Sequence, residues 1–164
     1  MKSKSIILIV LLFILLPASY VKAQTSDFSG EWKLNKEKSD LKDAQLFLSK
    51  IKIELKSDSL ITTRTYENGN GDEYPFDEKL SLDGKDCKIV IFEMPRTSKA
   101  TRSEADGTIA IASVTTLNNG NGHEDMTSEE NWKVENEGKV LTLVFKNKMS
   151  GNEFEGTYHY DKVQ

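Results

Sequence analysis

From about residue 50 onward the chain alternates between apolar and polar positions. The stretch "KIKIELK" sets Ile51, Ile53 and Leu55 on one face, with lysines and Glu54 on the other. "EKLSLD" repeats the pattern with Leu80 and Leu82, "GTIAIASVTT" with Ile109 and Ile111, and "KVLTLVFKNK" with Leu141, Leu143 and Phe145. A period of two is what a sheet with one dry face requires. Turn signals punctuate these runs: Ser57-Asp58, Asn68-Gly69-Asn70-Gly71, Asp83-Gly84, Pro95-Arg96, Asp106-Gly107, Asn119-Gly120-Asn121-Gly122, Glu137-Gly138 and Ser150-Gly151. Asn-Gly and Asp-Gly pairs favour hairpins because both residues tolerate the positive φ of primed turns.

The pattern predicts about ten strands, over residues 28–35, 50–57, 59–67, 73–82, 86–93, 96–104, 108–117, 124–135, 139–148 and 152–162. Only "LKDAQLFL", residues 41–48, suggests a short helix. No connection after residue 49 is long enough for a crossover, so successive strands should pair as hairpins. The expected fold is therefore all-β, an up-and-down antiparallel meander closed into a barrel, because closure removes exposed edges. A β-sandwich is the competing architecture, and it would need a longer Greek-key connection than any seen here.

Residues 1–23 read as a signal peptide. Lys2 and Lys4 precede the apolar run Ile6–Leu16, Pro17 breaks it, and Val21-Lys22-Ala23 suits cleavage near Ala23. Eleven apolar residues fall short of the ~20 that span a bilayer. The expectation is an exported protein, periplasmic or secreted, with residues 24–164 forming one domain. Three of the 22 basic residues lie in the leader, which leaves 19 against 26 acidic ones. That acidic balance argues against a nucleic-acid partner, whose phosphates demand a basic face.

Phe28-x-Gly30-x-Trp32 at the start of the remaining chain resembles the first strand of the calycins, the lipocalins and intracellular fatty-acid-binding proteins. "FSGEWKLNKEKS" and the later "WKVENEGKVLTL", from Trp132 to Leu143, also resemble exported bacterial lipocalin-like proteins of unassigned role. The resemblance implies that Gly30 lets the strand bend across the barrel bottom while Trp32 plugs it. It further implies a small hydrophobic or amphipathic ligand in the interior. Two departures stand out. Lipocalins close the bottom with an Arg or Lys from a late strand lying over the tryptophan. Fatty-acid-binding proteins hold a carboxylate with Arg-x-Tyr on the last strand. Here that strand reads "TYHYDK", so Tyr158 stands where the arginine would be, with Tyr160 two residues on.

Candidate site residues follow from the same alternation. Trp32 and Trp132 are read as core plugs, with a stacking platform for a ligand as the alternative. Arg64 shares a face with Leu60, Thr62 and Tyr66. If that face is interior, the cation needs a carboxylate or a ligand anion, because an unpaired buried charge costs several kcal/mol. The other reading places it on the outer wall. Arg96 and Arg102 lie on a polar strand, an edge or a wet-interior one. Tyr66, Tyr74, Tyr158 and Tyr160 either line a mixed-polarity cavity or form a half-exposed girdle. The lone cysteine, Cys87, is read as a small buried hydrophobe. His123 and His159 fit no zinc spacing, no nucleophile elbow is present, and "NGNG" precedes no helix that would cradle phosphate. No metal, cofactor or catalytic residue is expected. A binding protein with Arg64, Tyr66, Tyr158 and Tyr160 as ligand contacts is the first reading. The alternative is a side-chain-filled barrel that binds a protein or glycan through its outer surface.

Overall fold

The computed structural model describes residues 27–41, 44–118, 120 and 122–164. The signal-peptide reading lies outside the described residues. The ten strands are β1 (Gly30–Leu34), β2 (Leu46–Leu55), β3 (Ser59–Asn68), β4 (Glu73–Ser81), β5 (Cys87–Ile91), β6 (Met94–Arg102), β7 (Ile109–Asn118), β8 (His123–Glu135), β9 (Val140–Met149) and β10 (Asn152–Lys162). They form one antiparallel sheet in the order β4-β3-β2-β1-β10-β9-β8-β7-β6-β5. Each strand pairs with its chain neighbour except at one seam, and the last pairs with the first through Trp32 opposite Lys162 and Leu34 opposite Tyr160. The result is a nearly closed barrel, compatible with a calycin-like fold, and not a sandwich.

The seam lies between β4 and β5, where there is no ladder. It is bridged instead by the Gly84 N–H donating to the Ala100 carbonyl (2.9 Å) and by an isolated bridge between Asp83 and Thr101. Cys87 sits beside it, its thiol donating to the Lys79 carbonyl at 3.0 Å. That thiol is half-buried, and burial together with the Glu78 charge pushes its pKa up, which makes it a poor nucleophile.

Two expectations are corrected. The short helix over 41–48 gives way to strand from Leu46 onward, because a β-bulge falls between Leu48 and Lys50. The bulge buries Phe47, Leu48 and Ser49 in succession and so erases the alternation that marks a strand. The turn expected at Pro95-Arg96 sits instead at Phe92-Glu93, with φ of 48° and 67°. Positive φ at both central residues is what a primed hairpin needs, yet neither residue is an ordinary choice there. Phe92 and Glu93 therefore hold backbone strain, of the order of 1 kcal/mol each.

Inside, the side chains fall into three layers. Far from the β5–β6 turn the barrel is filled by Phe28, Trp32, Leu60, Leu80, Ile109, Trp132 and Leu141, all essentially inaccessible to solvent. The Trp32 indole N–H donates to the Phe28 carbonyl at 2.8 Å, and the Lys162 ammonium lies 5.1 Å from the ring centre. The late-strand cation over the tryptophan is thus present, and the first of the two departures disappears. Gly30 makes room for it. Its φ is +130°, and a Cβ there would meet Lys162 Cε at 2.7 Å, so a larger residue would be strained in two ways.

Candidate functional site

Above the apolar layer the barrel holds, among the described residues, four buried charged side chains. Arg64 from β3 is completely buried, and its Nη1 donates to both Glu130 oxygens, at 2.8 and 3.1 Å. Glu130 Oε2 also accepts from the Trp132 indole N–H at 2.8 Å. The Arg64 guanidinium carbon lies 5.0 Å from the Trp132 ring centre, a cation–π contact in a dry setting. Arg96 from β6 donates through Nε to Glu78 Oε1 (3.1 Å) and through Nη1 to Thr115 (3.1 Å). Ser98 donates to the same Glu78 oxygen at 2.6 Å. Arg64 Nη2 and Glu78 Oε2 face each other at 3.7 Å, an ion pair without a hydrogen bond.

The arrangement has two structural consequences. Glu78 on β4 and Arg96 with Ser98 on β6 clamp the seam that lacks a ladder, while Arg64 and Glu130 tie β3 to β8 across the lumen. Burial alone would raise the Glu78 carboxyl pKa, but Arg64, Arg96 and the Ser98 hydrogen bond hold it below its ordinary value of 4.5. A carboxyl whose pKa is lowered by folding contributes stability above its unfolded pKa, and that stability is lost as pH falls through the folded value. Urea midpoints measured between pH 7 and pH 3 should hold steady above about 5 and fall below 4.5. The fall should be shallower in Glu78→Gln, and an equal slope in both proteins would contradict the assignment.

The third layer surrounds a cavity of about 610 Å³ at the end of the barrel that carries the β5–β6 turn. Its apolar wall is formed chiefly by Tyr74, Phe76, Phe92, Met94, Leu117 and Met126. Phe92 meets Tyr74 and Phe76 edge-on, with ring centres 6.2 and 6.1 Å apart, and Tyr66 stacks on Phe76 at 6.1 Å. The strained turn thus carries an aromatic side chain across the open seam to complete the rim. Gln45, Asn68, Arg96, Thr115 and Asn147 contribute the polar part of the lining, and below the last three lies a smaller chamber of about 90 Å³ that also touches Tyr158 and Glu130. The chamber has space for only a few water molecules. Most of the deep barrel is therefore solid, and the accessible space is at the mouth.

Of the residues singled out in the sequence, Trp32 and Trp132 sit in the deep packing, and Gly30 lies half-buried against Lys162. Arg64 takes the interior position, with the carboxylate partners that position demands. It lies beneath the mouth and not in its wall. Tyr160 is also buried, its hydroxyl donating to the Leu48 carbonyl at 2.9 Å. Tyr66 lines both spaces, whereas Tyr158 lines the inner chamber and a neighbouring cleft. Burial keeps the Tyr158 phenol protonated, with its pKa pushed up to about 12. The strand of Arg96 is not an edge strand, since it pairs on both sides, and it turns Arg96 and Ser98 inward. Sequence reading missed Glu78, Glu130 and Asn147, although parity pointed to them. Glu78 is in step with Leu80, Glu130 with Trp132, and Asn147 with Leu141 and Leu143.

Among the described residues no group of three or more His, Cys, Asp or Glu side chains is placed to hold a metal ion. No family profile, no curated protein and no solved structure matches the chain. Fold and cavity together define the class: a nearly closed ten-stranded antiparallel barrel, packed at one end and hollow at the other.

Proposed function

We propose that the protein is an exported, lipocalin-like binding protein for a small amphipathic molecule that sits in the mouth of the barrel. The observation that carries this reading is the 610 Å³ cavity, with its aromatic and aliphatic wall and a few polar groups at its base. That volume and lining match the usual form of small-molecule sites. Burial of the ligand's apolar part would supply the affinity, at about 25 cal/mol per Å² before entropic costs. The leader pattern in residues 1–23 supports export. The buried ionisable residues pair with one another, which supports binding over catalysis.

The test is uptake of the neutral dye Nile red, together with native mass spectrometry of the purified chain. Dye fluorescence should rise on binding and saturate, and a co-purified lipid would add support. The double variant Phe92→Asn/Glu93→Gly relaxes the strained turn and removes one wall of the mouth. It should melt a few degrees higher, since about 1–2 kcal/mol of strain is relieved, yet bind the dye several-fold more weakly. A weakened site in a more stable protein cannot be ascribed to misfolding. Absence of dye uptake and of any bound lipid would overturn the reading.

One observation favours the second reading, surface recognition of a protein or glycan. A groove of about 440 Å³ runs along the outer wall past Lys99, Ala110, Ala112, Glu129 and Val144, with Val144 half exposed. A partner lost on Val144→Glu, with dye binding intact, would support it.

A further inference from the structure

We infer that the mouth cavity selects an uncharged polar head, one that both donates and accepts hydrogen bonds, such as a hydroxyl or a carboxamide, and disfavours a carboxylate. This inference rests on the binding function proposed above and specifies the chemical class of its ligand.

Among the described residues Arg96 is the one charged side chain in the cavity lining, and taken alone it suggests an anion. Its surroundings reverse that expectation. Arg96 is bound to Glu78 through Nε and to Thr115 through Nη1. Arg64 is bound to Glu130, which also accepts from the Trp132 indole N–H. Two arginines and two glutamates sum to zero, and all four are at least nine-tenths buried. A carboxylate entering the mouth would be a third anion above two buried ones, with no surplus cation to offset its lost hydration. An ammonium would meet the opposite difficulty, since the nearest charged group it faces is the Arg96 guanidinium.

The second observation is an acceptor that lacks a donor. Asn147 Oδ1 is buried and has no hydrogen-bond partner among the described residues. Its side chain borders the mouth and the inner chamber, as do those of Tyr66 and Arg96. A buried acceptor left unpaired costs about as much as a lost hydrogen bond, so this position calls for a donor. A carboxylate has none to give. A hydroxyl or primary amide can donate to Asn147 while accepting from the Arg96 guanidinium or the Tyr66 phenol. Its chain would then lie against Phe76, Met94, Leu117 and Met126.

The experiment is displacement of Nile red from the full-length protein at pH 8 by dodecanol, dodecanamide, dodecanoate and dodecylamine, each below its micellar concentration. The amide and the alcohol should displace the dye at concentrations at least tenfold lower than the carboxylate or the amine. Glu78→Gln leaves one positive charge unbalanced and should shift the order toward dodecanoate. If that variant does not fold, Asn147→Leu serves instead. It should weaken the amide and alcohol several-fold and leave dodecanoate unchanged. Equal or tighter binding of dodecanoate by the unaltered protein would overturn the head-group inference while the binding function stands. Failure to bind Nile red or any of the four would remove both.

Discussion

Replacing Arg64 by methionine should cost about 3–5 kcal/mol of folding stability, the expected effect of removing one partner from a buried ion pair. The loss would be a large share of the ~5–15 kcal/mol that typically holds a domain folded. Methionine fills much of the arginine's volume, so the penalty is not chiefly a cavity. It comes from Glu130, which would keep only the Trp132 indole N–H as a partner, and from Glu78, which would lose one of two cations. The double variant Arg64→Met/Glu130→Gln separates this cause from simple misfit. It leaves Glu78 with Arg96 as a neutral pair and gives Trp132 an uncharged acceptor. Denaturant unfolding should show the double variant more stable than Arg64→Met alone by at least about 2 kcal/mol, a coupling of the size found for residues in one network. If both are equally unstable, the uncompensated charge is not what the single substitution exposes.

Trp132→Ala should be comparably damaging, by about 3–5 kcal/mol, as is usual for truncating a fully buried aromatic. Trp132 is inaccessible to solvent and links two layers: its ring packs among Ile109 and Leu143 on the neighbouring strands, while its N–H reaches up to Glu130. Trp132→Phe divides these contributions. It keeps most of the apolar volume, removes the donor to Glu130 and leaves a smaller face beneath Arg64. Its expected cost is about 1–3 kcal/mol, the range for leaving a buried polar group short of a partner. Thermal and urea unfolding of the three proteins should therefore rank wild type, Phe, Ala. A Phe variant as stable as wild type would mean that the indole hydrogen bond contributes little, and that packing alone makes Trp132 important.

The charged layer also explains why the barrel closes where its ladder does not. β4 and β5 share no paired register, and the meander would be left with two open edges there. Glu78 reaches past the gap to Arg96 and Ser98 on β6, so the buried ion pairs also join the two sides of the sheet. The same seam gives Phe92 its position. Its turn accepts unfavourable backbone angles at two residues, and in return an aromatic ring spans the mouth. Strain kept at such a place is commonly tied to function, and the Asn-Gly exchange in that turn tests the connection directly.

Much of this molecule is legible in its residues. Alternation with a period of two, together with turn chemistry at short intervals, specified ten antiparallel strands in chain order. Both depend on local backbone and side-chain preferences that need no tertiary information. Where local chemistry was unusual, the reading slipped. The bulge at Ser49 hid the start of β2, and Phe92-Glu93 made a hairpin turn without turn residues. The parity of β3 placed Arg64 on a face, but whether that face was inner or outer depended on finding its counter-charges. Glu78 and Glu130 lie 14 and 66 positions away along the chain, and only curling of the sheet brings all three together. The cavity likewise has no sequence signature, because its wall is contributed by residues of eight different strands, the β5–β6 turn and the segment before β2. Periodicity fixed which side chains of a strand share a face. Closure of the barrel decided which charges meet, how much of the lumen they fill, and where a space remains.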